Sequence, residues 1–275
     1  MLKRLTKKQV DDFEHKGFIS GIDVITAEEA AAYRNRIEES DRKGGQGLIK
    51  SMRVKTHLMF PWMLNLARDP RVLDVVEDIL GPNLLLFLSV LWDKKAGDQT
   101  YVSNHQDGTY YGFDKRRSVN VWLAITETNV ENGCMRFYSG SHKNGILAHE
   151  ELGGDKNLLS RGQTVHGFND KVAENIILNP GQCSIHHENL VHGSYPNTGK
   201  DRRMGYAMVF IATDVKPLLD QRSAFLVRGE DKFGYWDFDP EPRFDLDPIA
   251  MKAVAYAQSG YNDPTLKPPT AKKEN

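Results

Sequence analysis

Residues 84–92 read Leu-Leu-Leu-Phe-Leu-Ser-Val-Leu-Trp, an apolar run broken only by Ser89. It is too short to span a bilayer and shows no one-sided stripe, so it fits a strand buried on both faces. It also divides the chain. Before it the signals are helical. Thr6-Lys7-Lys8-Gln9 and Thr26-Ala27-Glu28-Glu29 are capping boxes, and the second opens an alanine-rich segment that ends before Gly44-Gly45. A short strand is predicted at 17–19. Residues 44–60 read as a loop. Asp69-Pro70 starts a helix whose Val72, Leu73, Val76, Ile79 and Leu80 recur at helical spacing until Gly81-Pro82 stops it. After residue 84 come short β-rich runs at 119–125, 134–138, 183–187 and 203–212, with turn signals at Asn132-Gly133 and Asn179-Pro180-Gly181. The run at 203–212 reads as the last strand. Helices first and strands afterwards indicate an α+β or mainly β architecture, not alternating βαβ units.

Composition narrows the function classes. A net charge of -1 argues against nucleic-acid or membrane-surface binding by bulk electrostatics. Two cysteines outside any CxxC pair make a disulfide framework or structural zinc improbable and fit a reducing, cytoplasmic setting. The amino terminus lacks an apolar signal segment, and the Lys/Pro-rich tail after Asp263 reads as disordered. The expected partner is a small molecule; oligomeric state is not legible.

The chemistry concentrates in two stretches, 104–111 (Asn-His-Gln-Asp-Gly-Thr-Tyr-Tyr) and 185–194 (Ile-His-His-Glu-Asn-Leu-Val-His-Gly-Ser). On an extended strand, residues i and i+2 share a face, so His105 and Asp107 can aim an imidazole and a carboxylate at one point. A distant histidine brought alongside by sheet pairing completes two histidines and one carboxylate. That set holds one face of an Fe(II) octahedron and leaves the other positions open. The third ligand must come from His186, His187 or His192, and the other two are candidates for donors that orient the ligands. The remaining histidines at 15, 57, 149 and 166 have bland surface or helix-packing contexts, and His142 reads as structural. Downstream, Arg203 is separated from His192 by a turn over 196–199 that places it on the neighbouring strand. A guanidinium there can grip the far carboxylate of a metal-chelating dicarboxylic acid, and Ser194 shares strand parity with His192.

These motifs, with Val121-Trp122-Leu123-Ala124, Glu131-Asn132-Gly133-Cys134-Met135-Arg136 and Ser139-Gly140-Ser141-His142, resemble the phytanoyl-CoA dioxygenase family of Fe(II)- and 2-oxoglutarate-dependent oxygenases. The resemblance runs from the first capping box to about residue 245. It implies a mainly β fold with flanking helices, a double-stranded β-helix (a cupin-like jelly roll) with the amino-terminal helices packed outside. The implied layout is one domain over 1–263, with a helical part at 1–82, a jelly-roll core at 84–215 and an extension at 216–263, then a tail at 264–275. The implied metal ligands are His105, Asp107 and His192, which are also the catalytic set. The implied cosubstrate residues are Arg203, Ser194 and Trp122. The implied cofactors are Fe(II), 2-oxoglutarate and O2. The implied reaction is hydroxylation of an unactivated C–H with release of succinate and CO2. Relatives that halogenate carry a small residue in place of this carboxylate, so Asp107 favours hydroxylation.

For the substrate, Tyr110, Tyr111 and Phe113 follow the ligand strand and can overhang the metal. Asn120 and Arg136 are polar residues in apolar strand contexts and can face the pocket. The expected substrate is a small, polar metabolite such as an aminophosphonate or an amino-acid-like compound. The alternatives are an acyl-CoA or secondary metabolite, or a cupin-type metalloenzyme that does not use 2-oxoglutarate; a non-catalytic binding protein on the same barrel is the remaining rival.

Overall fold

The architecture is that of a computed structural model, which describes residues 2–44, 47–48, 52–219 and 222–261. The tail expected at 264–275 lies outside the described residues. Helix α1 (Lys7–Lys16) begins at the Thr6 capping box and ends at Gly17. Gly17 adopts φ +84°, where a side chain is strained, and its N–H returns to the Phe13 carbonyl at 2.7 Å. Strand β1 (Phe18–Asp23) follows directly, then α2 (Ala27–Gly44), whose Thr26 and Glu29 exchange backbone hydrogen bonds. The loop expected over 44–60 is only partly one: α3 (Thr56–Met59) and α4 (Pro61–Ala67) occupy its end and the stretch beyond. Both are short and almost wholly buried, so packing holds them where local propensity gave no periodic signal. Helix α5 (Pro70–Leu80) has Asp69 as its N-cap and Pro70 at the first position.

Two sheets, antiparallel except for one parallel pair at the edge of the larger, form the jelly roll, and β6 (Glu150–Glu151) with β7 (Gln163–Thr164) makes a separate two-stranded ribbon. The larger joins β1, β2 (Leu84–Lys94), β4 (Ser118–Ala124), β9 (Gln182–His187), β11 (Arg203–Ala212), β12 (Ser223–Arg228) and β13 (Asp237–Phe238) in the order β1-β9-β4-β11-β2-β12-β13. The smaller has the order β3-β10-β5-β8, from β3 (Val102–His105), β5 (Met135–Phe137), β8 (Glu174–Ile176) and β10 (His192–Ser194). Strand β11 is therefore not the last. Strand β12 adds to the free edge of β2, and beyond the single helical turn α6 (Gly108–Tyr111) one further helix, α7 (Pro248–Tyr261), closes the described chain.

Every residue of β4 and β11 is buried, because the larger sheet has a core on each face. Val119, Val121, Leu123, Met204, Tyr206, Met208 and Phe210 face the amino-terminal helices. Trp122, Ala124, Ala207, Val209 and Ile211 face the barrel interior with Phe137 and Ile176 of the smaller sheet. This two-sided burial is why these strands read as continuous apolar runs. The Asn132-Gly133 turn does not close a tight hairpin: it carries the chain from β4 in one sheet towards β5 in the other. No helix among the described residues is long and apolar enough to cross a membrane.

Candidate metal centre and its pocket

His192 pairs directly across the sheet from His105, so two residues 87 positions apart present imidazoles on one face. Asp107 joins them by a different route from the one expected. Strand β3 ends at His105, and Asp107 has helical angles (φ -59°, ψ -37°) as the entry to a single turn, α6 (Gly108–Tyr111). Gly108 permits this turn to tuck against the β9–β10 connection, since a Cβ there would meet Asn189 Oδ1 at 2.6 Å. One ligand atom from each of His105, Asp107 and His192 lies within 4.8 Å of the others.

Hydrogen bonds fix how these groups face. His105 Nδ1 lies 2.9 Å from the Ser103 carbonyl, and His192 Nδ1 lies 3.0 Å from the Leu190 carbonyl. A carbonyl only accepts, so each Nδ1 carries the hydrogen and each Nε2 turns a lone pair inwards. Those two Nε2 atoms sit 3.4 and 3.9 Å from Asp107 Oδ1. The other carboxylate oxygen, Oδ2, accepts from Asn120 Nδ2 at 3.1 Å and lies 3.2 Å from His186 Nε2. Burial alone would raise the Asp107 carboxyl, but His192, His105 and His186 hold it well below the usual carboxylate range. Burial, then the neighbouring His105, pushes His192 down to about 3, which keeps it neutral. In the neutral rings that bind a metal, both Nε2 lone pairs face the carboxylate and three acceptors converge. Acceptors so arranged repel one another unless a cation lies between them, and the two-imidazole, one-carboxylate set suits a divalent metal with open positions.

Beside this cluster, a narrow cleft leads past Trp122 to Arg203. Arg203 is buried, donates from Nη2 to the Gly133 carbonyl at 2.7 Å, and leaves Nε as a buried donor with no partner. Its guanidinium lies over the Trp122 ring, 5.0 Å from the centroid. Glycine is required at 205 for this stack, because a Cβ would fall 1.8 Å from the indole. Arg203 is not on the strand next to His192: β10 belongs to the smaller sheet and β11 to the larger, so the two meet across the barrel interior.

The residue opposite Arg203 in the β2–β11 register is Lys94, which sequence reasoning missed. Lys94 is fully buried and donates to Ser194 Oγ at 2.7 Å and to the Tyr195 carbonyl at 2.5 Å. No carboxylate lies within 4 Å of either Lys94 or Arg203 among the described residues. Burial, then Arg203, pushes Lys94 down to about 6, and burial lowers Arg203 to about 10. The available signal was strand parity: Val90, Trp92 and Lys94 share a face, and the first two line the interior.

The remaining candidates divide. Tyr110, Tyr111 and Asn120 line a cavity of about 330 Å³ that reaches His105 and Asp107. Asn120 also holds Asp107 in place, a role sequence reasoning had not given it. Phe113 is one layer back, packed on Phe87, Tyr111 and Trp236 and absent from the cavity wall. Arg136 points away: it alternates with Met135 and Phe137 on β5, hydrogen-bonds the Asp170 carbonyl at 2.8 Å and lies over Tyr195. Strand parity, unknowable before the register was seen, decided this. His187 accepts from the Asn189 N–H and serves the turn that leads from β9 to β10.

A family model described as phytanoyl-CoA dioxygenase (PhyH) matches residues 13–205. The chain belongs to the phytanoyl-CoA dioxygenase family. Among relatives in that family, a probable alpha-ketoglutarate-dependent hypophosphite dioxygenase of Stutzerimonas stutzeri is 28% identical over 188 residues, 67% of this chain and 65% of that protein. The matched stretch thus leaves about a third of that relative uncovered. Of solved structures, the non-heme monooxygenase ThoJ superposes with a TM-score of 0.80 at 29% identity, covering 92% of this chain and 95% of that one. CytC3 with Fe(II) and alpha-ketoglutarate superposes with a TM-score of 0.66 at 20% identity, covering 89% and 96%, a likeness of fold.

Proposed function

We propose that this protein is a non-heme Fe(II)- and 2-oxoglutarate-dependent oxygenase that hydroxylates a small-molecule substrate. The observation that carries the reading is the convergence of His105 Nε2, His192 Nε2 and Asp107 Oδ1 on one point, with both Nδ1 atoms turned to backbone carbonyls. His105, Asp107 and His192 would hold the iron. Bound there, Fe(II) with 2-oxoglutarate and O2 supplies the oxidising power that replaces a C–H by C–OH, with succinate and CO2 released.

The chain's own residues do the positioning. Asn120 and His186 hold Asp107 Oδ2, which leaves Oδ1 for the metal. Arg203 supplies positive charge for the far carboxylate of 2-oxoglutarate, Trp122 keeps the guanidinium plane in place, and Lys94 takes up its proton as that carboxylate binds beside it. A protonated amine only donates, so Ser194 Oγ accepts from Lys94 and its own O–H is left to donate to that carboxylate. Tyr110 and Tyr111 wall off the metal side from water.

The cavity favours a different substrate from the small polar metabolite expected. Its lining includes Val54, Leu88, Val90, Trp92, Leu158, Leu159, Ala207 and Val209. At about 330 Å³ it falls in the range of sites for drug-sized ligands. A mid-sized, largely apolar molecule fits it better than an oxyanion the size of hypophosphite.

The test is anaerobic addition of Fe(II) and 2-oxoglutarate to the apoprotein, watched for the weak visible charge-transfer band of the chelate. O2 is then admitted with candidate substrates and succinate is followed. A band with substrate-stimulated succinate is expected. Bound iron without a band would move the assignment to a cupin-type enzyme that does not use 2-oxoglutarate.

A further inference from the structure

Among the described residues, Arg53 is the one Lys or Arg on the wall of the cavity that ends at His105 and Asp107. It sits in the segment before α3, half-buried, with Cζ 4.9 Å above the centre of the Trp92 ring. Its hydrogen bond to the Leu158 carbonyl is long, at 3.4 Å. No carboxylate among the described residues lies within 4 Å of it. The nearby Asp93 is taken by Arg202, which grips it at 2.7 and 3.0 Å. Other arginines of this chain, such as Arg71 and Arg228, are spent on one or two carboxylates each. Burial pulls Arg53 below the ordinary arginine value, while Asp93 and Asp98 support its charge from outside the cavity. A guanidinium in such a place keeps donors that water or a ligand must satisfy, and an anion satisfies them best.

We infer that Arg53 anchors an anionic head group of the substrate, which is therefore an amphipathic acid: an apolar body bearing one carboxylate or phosphonate. The inference rests on the oxygenase reading of the same site. The body would lie along Val54, Leu88, Val90 and Val209, and the carbon presented to the metal would be remote from the acid, at the His105 and Asp107 end. Arg203 does not serve this head group, because it lies in the separate narrow cleft. The two spaces meet at Trp92, Asn120, His105 and Asp107, which line both, while Arg53 lines only the larger of the two and Arg203 only the cleft.

The experiment uses the full chain loaded anaerobically with Fe(II) and 2-oxoglutarate. Nonanoate, octylphosphonate and 1-octanol, each with an eight-carbon alkyl chain, are titrated by calorimetry, so that apolar length is constant and only the head group changes. At least one of the two acids should bind at least about ten-fold tighter than the alcohol, as a charge-assisted bond predicts. Arg53→Met should erase that preference and leave 1-octanol affinity unchanged, and Arg53→Lys should keep part of it. Equal binding of acids and alcohol to the wild type overturns the inference, as does a preference that survives in Arg53→Met. Should Arg53→Met not fold, Arg53→Gln carries the same test. A wild type that takes up no iron or 2-oxoglutarate fails the oxygenase reading instead, at the loading step and before any head group is compared.

Discussion

The metal-facing cluster and the Arg203 end of the adjoining cleft are built from opposite materials. At the first, a carboxylate and two imidazoles converge on a common point; at the second, a guanidinium and a buried amine turn donors inwards with no acid within 4 Å among the described residues. Each end alone is unfavourable, because like partners are held together away from water. Together they describe one ligand system, a cation at one end and a carboxylate at the other. The contrast also shows in what supports each end. The acceptor end is braced by backbone carbonyls within two residues of each histidine, so its geometry is local. The donor end depends on a cross-strand register between residues 94 and 203 and on the missing side chain at Gly205.

The hardest way to break the pairing is to remove an acceptor. His192→Ala should weaken divalent-metal binding by more than about 100-fold, beyond the 10–100-fold that loss of an outer partner brings. Titration with Fe(II) or Mn(II) measures it, and near-native affinity would move the third ligand to His186. Arg203→Met acts on the other end and should leave metal affinity in place. Removing one partner of a buried charged pair costs about 3 kcal/mol or more, so 2-oxoglutarate should bind roughly 100-fold more weakly. Anaerobic titration of the chelate band reads the change, and an unaltered affinity would end the assigned role.

The smallest expected effect is the most telling about the donor end. Lys94→Met should weaken 2-oxoglutarate by about ten-fold, the scale of one charge-assisted hydrogen bond. It should also stabilise the protein free of cosubstrate. The sign follows from Lys94 being held near 6 when folded and at the ordinary lysine value when unfolded. Between those values the unfolded chain binds more protons, so wild-type stability rises with pH across that window. The gain from Lys94→Met should therefore be full below about pH 6 and shrink towards pH 10. Melting temperatures of both proteins at pH 5.5 and pH 9 give the comparison, and a gain that grows with pH would contradict it.

What the sequence determined by itself is local or compositional. Thr6, Thr26 and Asp69 start their helices because capping involves only the next three residues. The runs in β2, β4 and β11 declare themselves because burial on both faces leaves no solvent face to alternate with the apolar one. The residue types at 105, 107 and 192 were legible as a ligand set because few other combinations of side chains bind iron this way. Only the tertiary structure decided the rest. It put Asp107 on a helical turn, turned Arg136 outwards, set Lys94 against Arg203 and left Arg53 on the cavity wall. Each of these depends on packing between segments far apart in sequence. For Arg136 on β5 and Lys94 on β2, a shift of one residue would reverse the face without changing any local propensity.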